Sequence, residues 1–314
     1  MDTSSLINQA CFLLSQGKLV IMPTETVYGL AADATHDLAV ASIYKLKNRP
    51  AFNPLIVHVG SIDQAEAQAF FSEKAFLLAR HFWGQKGGPL TLVLKRKNPH
   101  LSHLVTAGLD TVAVRMPSHP MALDLLKTYP NPLAAPSANR SEALSPTSFQ
   151  AVQESFGDDT PFGLDGGPCQ VGLESTILDL SGPMPILLRP GGISVEQIEY
   201  VLGQKIEIYK GSVIQAPGMT KRHYAPKTPL RLNATNKKND EAFLAFGPGT
   251  EDFETLNLSP RGDDVEAASH LFAMLRELDH QRVSSIAVAP IPTSGLGLAI
   301  NDRLQRAAFN ETKG

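Results

Sequence analysis

The run Leu19-Val20-Ile21-Met22-Pro23-Thr24-Glu25-Thr26-Val27-Tyr28-Gly29-Leu30 decides how this chain is read. Its first four residues are apolar and predict a short buried strand, which Pro23 stops because proline cannot donate to a sheet ladder. Working outward, the period changes to that of a helix on both sides. Leu6, Ile7, Ala10, Cys11 and Leu14 recur at helical spacing, with Ser4 or Ser5 as cap and Gly17 placed to end the helix. Asp37 starts a second helix that carries Val40, Ile43, Tyr44 and Lys47 and must finish before Pro50. Leu55–Val59 reads as the next strand, Ser61 and Gln64 have capping-box spacing, and a helix with Phe76, Ala79, Phe82 and Trp83 precedes a strand at Leu90–Leu94. This alternation predicts an α/β fold.

Further along, Thr111–Met116 predicts a strand whose side chains point alternately to two faces, Val112 and Val114 one way, Thr111, Ala113 and Arg115 the other. Pro132–Ala135 and Ser175–Leu180 are also read as strands. The first break comes at Lys210–Pro229, where glycines and prolines interrupt every period and Lys221, Arg222, His223 and Tyr224 crowd together. The expected organisation is a domain over 1–208, a linker over 209–229 and a small domain over 230–314. In the last, Ala242–Phe246, Asp264–Leu278, Ser284–Ala289 and Leu296–Ala308 repeat a β-α-β-α order.

A length of 314 residues suits about two domains. The net charge of −3, from 28 basic and 31 acidic residues, excludes a wholesale cationic surface for nucleic acid, so any such contact is local. Cys11 and Cys169 stand far apart and supply no C-x-x-C pair, which points to a reducing compartment. The opening residues lack a basic, apolar leader, and no segment approaches the ~20 apolar residues of a membrane span. The expectation is a cytoplasmic protein with no membrane contact.

The common nucleotide and hydrolase signatures are missing: no G-x-x-x-x-G-K-[ST], no G-x-G-x-x-G after a strand, no H-E-x-x-H and no G-x-S-x-G. Gly295-Leu296-Gly297 reads as a helix N-terminus. Lys45, Lys47 and Arg49 either complement a helix C-terminus or bind phosphate. Arg115, in an apolar strand, needs an anion, which a ligand or a structural carboxylate supplies equally well. Pro136-Ser137-Ala138-Asn139 offers short polar groups at a strand end, where α/β sheets bind ligands. His58 is either a satisfied core histidine or a ligand contact.

Taken together and in order, Pro23–Leu30, Lys47-x-Arg49-Pro50, Asn53-Pro54-Leu55, Pro89-Leu90-Thr91, Val114-Arg115-x-Pro117, Ser137-Ala138-Asn139, Ser145-Pro146-Thr147, Ser175-Thr176-Ile177-x-Asp179 and Arg189-Pro190-Gly191 closely resemble the YrdC-like family. The segment Ala216–Lys227, with Arg222-His223-Tyr224, and the ending Gly295–Ile300 are similar to its longer, two-domain form. The resemblance implies a twisted, largely parallel α/β sheet with a concave basic cavity, a small α/β sandwich as C-terminal domain, and a linker across the cavity mouth. It implies synthesis of L-threonylcarbamoyl-adenylate from L-threonine, bicarbonate or CO2, and ATP, with Mg2+ carried on the triphosphate and pyrophosphate released. A downstream threonylcarbamoyl transferase complex then modifies an adenosine beside the tRNA anticodon, and this chain itself makes at most a weak tRNA contact.

Carried onto matching positions, the resemblance places Tyr28, His58, Arg115, Ala135 and Ser175 around threonine. It places Lys47, Arg49, Asn53, Thr111, Ser137, Asn139, Ser145, Arg189 and Tyr224 around ATP. No side chain serves as nucleophile and no metal ligand set is implied; Lys47, Arg49 and Arg189 stabilise charge. Two positions depart from the family pattern: Ser141-Glu142, where a glycine often follows the serine, and Ala31, where a glycine commonly follows Tyr-Gly-Leu. Two other functions compete: an RNA-binding module, and a carbamoyl-transfer enzyme on a related fold. The low charge disfavours the first, and the lack of zinc-binding cysteine clusters the second.

Overall fold

A computed structural model describes residues 2–83, 88–211, 213–220, 222–251 and 254–309. Lys221 therefore lies outside the described residues. The chain runs α1 (Thr3–Ser15), β1 (Val20–Met22), β2 (Gly29–Asp33), α2 (Asp37–Lys47), β3 (Ile56–His58), α3 (Ile62–Gln68), α4 (Glu73–Phe82), β4 (Leu90–Lys95), α5 (His103–Thr106) and β5 (Thr111–Arg115). It continues with α6 (Pro120–Thr128), β6 (Leu133–Ala134), α7 (Phe149–Phe156), β7 (Thr176–Asp179), β8 (Ile186–Arg189), α8 (Val195–Leu202) and β9 (Glu207–Ile208). Beyond β9 come β10 (Leu230–Arg231), β11 (Glu241–Ala245), β12 (Leu256–Asn257), α9 (Asp264–Asp279), β13 (Ser285–Val288) and α10 (Gly297–Ala308).

The first helix is capped by Asp2, whose carboxylate accepts from the Ser5 amide at 2.8 Å, rather than by Ser4 or Ser5. The helix starts one turn earlier than the apolar period shows, because Thr3–Ser5 are exposed and carry no apolar signal. Ser61 does accept from the Gln64 amide, but Gln64 reaches the Gly60 amide instead of completing the box. Gly295-Leu296-Gly297 lies at the start of α10, as a helix N-terminus.

The α/β class holds, with two sheets. The larger has the order β1-β2-β6-β3-β5-β4-β7-β8-β9 and the smaller β10-β13-β11-β12. Every pairing in the smaller sheet is parallel. The larger is mixed: β3–β5, β4–β7 and β8–β9 run parallel, whereas β1–β2, β2–β6, β3–β6, β4–β5 and β7–β8 run antiparallel. Parallel pairing therefore dominates in the small sheet only. β6 slots between β2 and β3, and short returns such as β1 to β2 turn the chain back on itself, a constraint that residue period does not carry.

Strand alternation divides the larger sheet cleanly. Val57, Leu92, Leu94, Val112 and Val114 face the main core under the helices. Ile56, Val93, Ala113, Ile177 and Leu188 form a smaller apolar strip on the opposite face, covered by Ala216 and Met219 from the segment after β9. On the smaller sheet, α9 and α10 share one face, and their apolar cluster also takes in Val27, Leu144, Leu173 and Tyr224. The second unit is thus packed against the first. At this junction Gly172 (φ +73°) approaches α9 so closely that a Cβ would lie 2.6 Å from the Ala268 carbonyl oxygen.

Candidate functional site

The strip-bearing face of the larger sheet opens into a cavity lined, among others, by Arg49, His58, Arg115, Ser137, Ser175 and Arg189, with His223 and Tyr224 on its far wall. Its free volume of about 50 Å³ is small, because Pro217, Gly218, His223 and Tyr224 lie across it. Parallel pairing sets His58 directly beside Arg115. Both point to the cavity because they share parity with Ile56 and Ala113.

Arg115 Nη2 donates to Glu25 Oε1 at 2.6 Å and to Thr26 Oγ1 at 2.9 Å, and both ions of this pair are buried. The residues alone left a ligand or a structural carboxylate open as the anion of Arg115; Glu25 is a structural one, while Arg115 Nε keeps no partner among the described residues. Glu25 is further fixed by the Ser118 amide. His58 sits with Nδ1 3.1 Å from the Ile56 carbonyl. A carbonyl only accepts, so Nδ1 carries the proton and Nε2 is left as an acceptor. Burial, and then the Arg115 charge, push the His58 pKa down to about 3, so the ring is neutral at physiological pH.

The other end of the cavity is built differently. Lys47, at the last turn of α2, is buried and donates to the Ser137 carbonyl (2.6 Å) and to the Asn139 carbonyl, with no carboxylate partner. Burial, then the neighbouring Arg49, hold its pKa well below the ordinary lysine range. Asn48 in the left-handed conformation (φ 54°) turns the chain so that Arg49 curls back, donating to the Asn53 and Pro54 carbonyls. Burial lowers Arg49 to about 10, still charged at neutral pH. Arg189, at the end of β8, donates to the Ser175 and Pro217 carbonyls, and burial lowers its pKa also. His223 is held neutral by burial and by Arg49, Lys47, Arg189 and Arg303.

Of the residues expected in the site, Arg49, His58, Arg115, Ala135, Ser137, Ser175, Arg189 and Tyr224 line the cavity. Lys47, Asn53, Asn139 and Ser145 stand behind its wall: Lys47 and Asn139 fix the 137–143 loop, the Asn53 carbonyl receives Arg49, and Ser145 donates to Glu174 Oε1 at 2.5 Å. Tyr28 is fully buried in the core, where its hydroxyl donates to the Gly167 carbonyl (2.7 Å) and accepts from the Gly166 amide. Thr111 shares a face with Arg115 but begins the strand. At about 3.3 Å per residue it lies ~13 Å away, paired with Lys95 and outside the cavity lining.

Sequence reasoning missed Glu25, although it stands inside the octapeptide, and Thr24, Val27 and Gly29 beside it. It also missed Arg303, whose signal was a charge inside the apolar stripe Ala299, Ile300, Leu304, Ala307 of α10. Glu142, at one of the two departures from the family pattern, has φ 69°, the conformation in which glycine is cheapest. Its carbonyl accepts from Ala225 at 2.7 Å and its carboxylate lies 3.3 Å from Arg222 Nε, so this residue ties down the linker.

Several buried polar atoms around this cavity have no hydrogen-bond partner among the described residues: Asn53 Oδ1, Arg115 Nε, Asn139 Oδ1, His223 Nδ1, Tyr224 Oη and Arg303 Nη2. Among the described residues no group of three or more His, Cys, Asp or Glu side chains is placed to hold a metal ion, and no helix is long and apolar enough to cross a membrane.

The family described as "Telomere recombination" (Sua5–YciO–YrdC) matches residues 13–191, and the description "Threonylcarbamoyl-AMP synthase, C-terminal domain" matches residues 193–309. The chain belongs to the Sua5–YciO–YrdC family. It is similar to the threonylcarbamoyl-AMP synthase of Pyrococcus abyssi, 42% identical over 96% of this chain and 94% of that one. The Bacillus subtilis protein of the same name is 40% identical over 96% and 92%. A crystal structure of P. abyssi Sua5 complexed with L-threonine superposes with a TM-score of 0.88 at 39% identity, covering 98% of this chain and 95% of that one. The family boundary falls before α8, whereas β9 still pairs with β8 in the larger sheet.

Proposed function

We propose that this chain is a threonylcarbamoyl-AMP synthase, using L-threonine, bicarbonate or CO2, and ATP. The observation that carries the reading is the concentration, in and behind the wall of one cavity, of cations without carboxylate partners among the described residues (Lys47, Arg49, Arg189) and of buried polar atoms without any partner there. Such groups are costly unless a ligand satisfies them, and a triphosphate supplies the missing anion.

In this reading the threonine amine adds to CO2, forming the N–C bond and losing one proton. A carbamate oxygen then attacks the α-phosphorus; an O–P bond forms, the α–β bridge breaks and pyrophosphate leaves. The work of the protein is positioning and charge stabilisation. Arg115, through its free Nε, takes the threonine carboxylate while Glu25 fixes the guanidinium. Neutral His58 accepts at Nε2 from the polar end of the amino acid, with Ala135 and Ser175 as walls. Arg49 and Arg189 meet phosphate oxygens, and Lys47 holds the Ser137–Asn139 loop against the nucleotide. Both nearby glutamates are engaged by arginines, so Mg2+ is carried by the triphosphate.

The small free volume supports a linker that moves to admit ATP and closes to keep water from the adenylate. The product serves a threonylcarbamoyl transferase complex acting on tRNA, and two free cysteines support a reducing, cytoplasmic setting. Incubation with ATP, radiolabelled bicarbonate and L-threonine, followed by chromatography, tests the function. A labelled adenylate and threonine-dependent pyrophosphate are expected; label in no product overturns it.

A further inference from the structure

We propose that Arg303 of α10 is a positioning residue of the nucleotide end of the cavity, cancelling the charge of Glu174 at the cavity wall. This rests on the reading of that end as an ATP site. Arg303 is 1% exposed although it lies in the apolar seam of its helix. A guanidinium there is tolerated only if anions and carbonyls meet it. Its partners come from the other sheet's flanks: Nε donates to Glu174 Oε2 at 3.0 Å, and Nη1 to the Pro190 carbonyl at 2.7 Å. Asp302 Oδ2 also accepts from Nη1 at 2.8 Å, and Nη2 has no partner among the described residues.

Glu174 is the carboxylate that lines the cavity. One of its oxygens is held by Ser145 and the other by Arg303. Stripped of Arg303, it is a buried anion facing the place where a triphosphate has to sit, and like charges at short range in a dry site repel strongly.

The same helix also fixes the linker. The Arg303 guanidinium carbon lies 5.2 Å from the centroid of the Tyr224 ring, a cation–π distance. Arg306 Nη1 donates to the Thr220 carbonyl at 2.6 Å, and the Arg306 carbonyl accepts from the His223 amide at 3.3 Å. Asp302 bridges the two arginines. The second unit therefore reaches the cavity through one helix, with Arg303 at the point where wall and linker meet.

The test compares wild type, Arg303→Met and the double variant Arg303→Met with Glu174→Gln in the full chain. ATP and threonine KM and kcat are measured, and a non-hydrolysable ATP analogue is titrated directly. Arg303→Met is expected to raise ATP KM and weaken the analogue by about tenfold or more, with threonine KM within about twofold. Adding Glu174→Gln removes the unpaired anion and recovers most of the loss, which a merely cohesive contact between the two units would not do. Unchanged ATP KM and analogue affinity in Arg303→Met overturn the proposal, as does a double variant no better than the single one. Where Arg303→Met alone does not fold, the double variant, which buries no unpaired charge, carries the test: analogue affinity within about threefold of wild type supports the proposal, and a tenfold loss overturns it. A wild-type protein that releases no pyrophosphate with threonine overturns the functional reading instead, and the analogue titration still reads the effect of Arg303.

Discussion

The two ends of the cavity solve the problem of a buried charge in opposite ways. At the strand-built end, Arg115 is neutralised by Glu25 inside the protein and His58 is kept neutral, so the charges of that end are balanced before any ligand arrives. At the loop-built end, Lys47, Arg49 and Arg189 rest on carbonyl oxygens and, for Arg189, also on the Ser175 hydroxyl, all of them uncharged. Such dipoles satisfy donors but cancel no charge, and burial, with no anion to offset it, holds the pKa values of Lys47 and Arg49 down. One end is a finished mould; the other holds an unbalanced charge that a polyanion releases.

Stability gives the largest contrast. Arg115→Ala leaves Glu25 buried without its cation and should cost about 3–5 kcal/mol, whereas Arg49→Ala removes a repelling charge along with two bonds to carbonyls and should cost about 1 kcal/mol. Urea unfolding of the two variants checks this, and equal losses would break the comparison.

Binding comes next. Arg115→Lys keeps the charge but loses the fork, and should weaken threonine by about tenfold to a hundredfold. Arg49→Ala should weaken an ATP analogue by a similar factor and leave threonine binding, measured without nucleotide, unchanged. Calorimetric titration that finds Arg49→Ala weakening threonine alone would reverse the assignment of the two ends.

Acid sharpens the strand-built end. The unfolded chain protonates His58 near 6.5, but the folded chain not until about 3. Stability therefore falls as pH drops below about 6.5, with a slope of up to about 1.4 kcal/mol per unit from this residue. His223 is shifted the same way and adds a slope of the same sign. His58→Gln should flatten the unfolding curve in that window, and an unaltered slope would show that the ring is charged in the folded state.

The smallest effect belongs to the loop-built end. A bound triphosphate favours the charged form of His223, which burial and the neighbouring cations hold neutral, so nucleotide binding should take up protons from the buffer, to about one from this group at most. Threonine binding should take up none. Titrations in two buffers of different ionisation enthalpy read the difference directly.

Much of this was legible from residue period and order alone. Helices and strands alternate because apolar residues recur at 3.6 or 2, and the parity of Thr111–Arg115 put Arg115 and Ala113 on one face, where the structure has them. The ordered motifs gathered eight cavity-lining residues from across the chain.

Parity, however, carries no depth. It could not tell that Thr111 opens β5 outside the cavity lining, nor that the Tyr28 hydroxyl is bonded to the 166–167 loop. Nor could it pair strands: β6 between β2 and β3, and the antiparallel pairs β1–β2, β4–β5 and β7–β8, make the larger sheet mixed, and that follows from which backbone edges meet. Which charge answers which was also decided only in three dimensions. Glu25 finds Arg115 across 90 residues and Arg303 finds Glu174 across 129. The sequence names the ions, but a buried charge is made tolerable by whichever opposite charge the fold brings within reach, and that distance is set by tertiary packing.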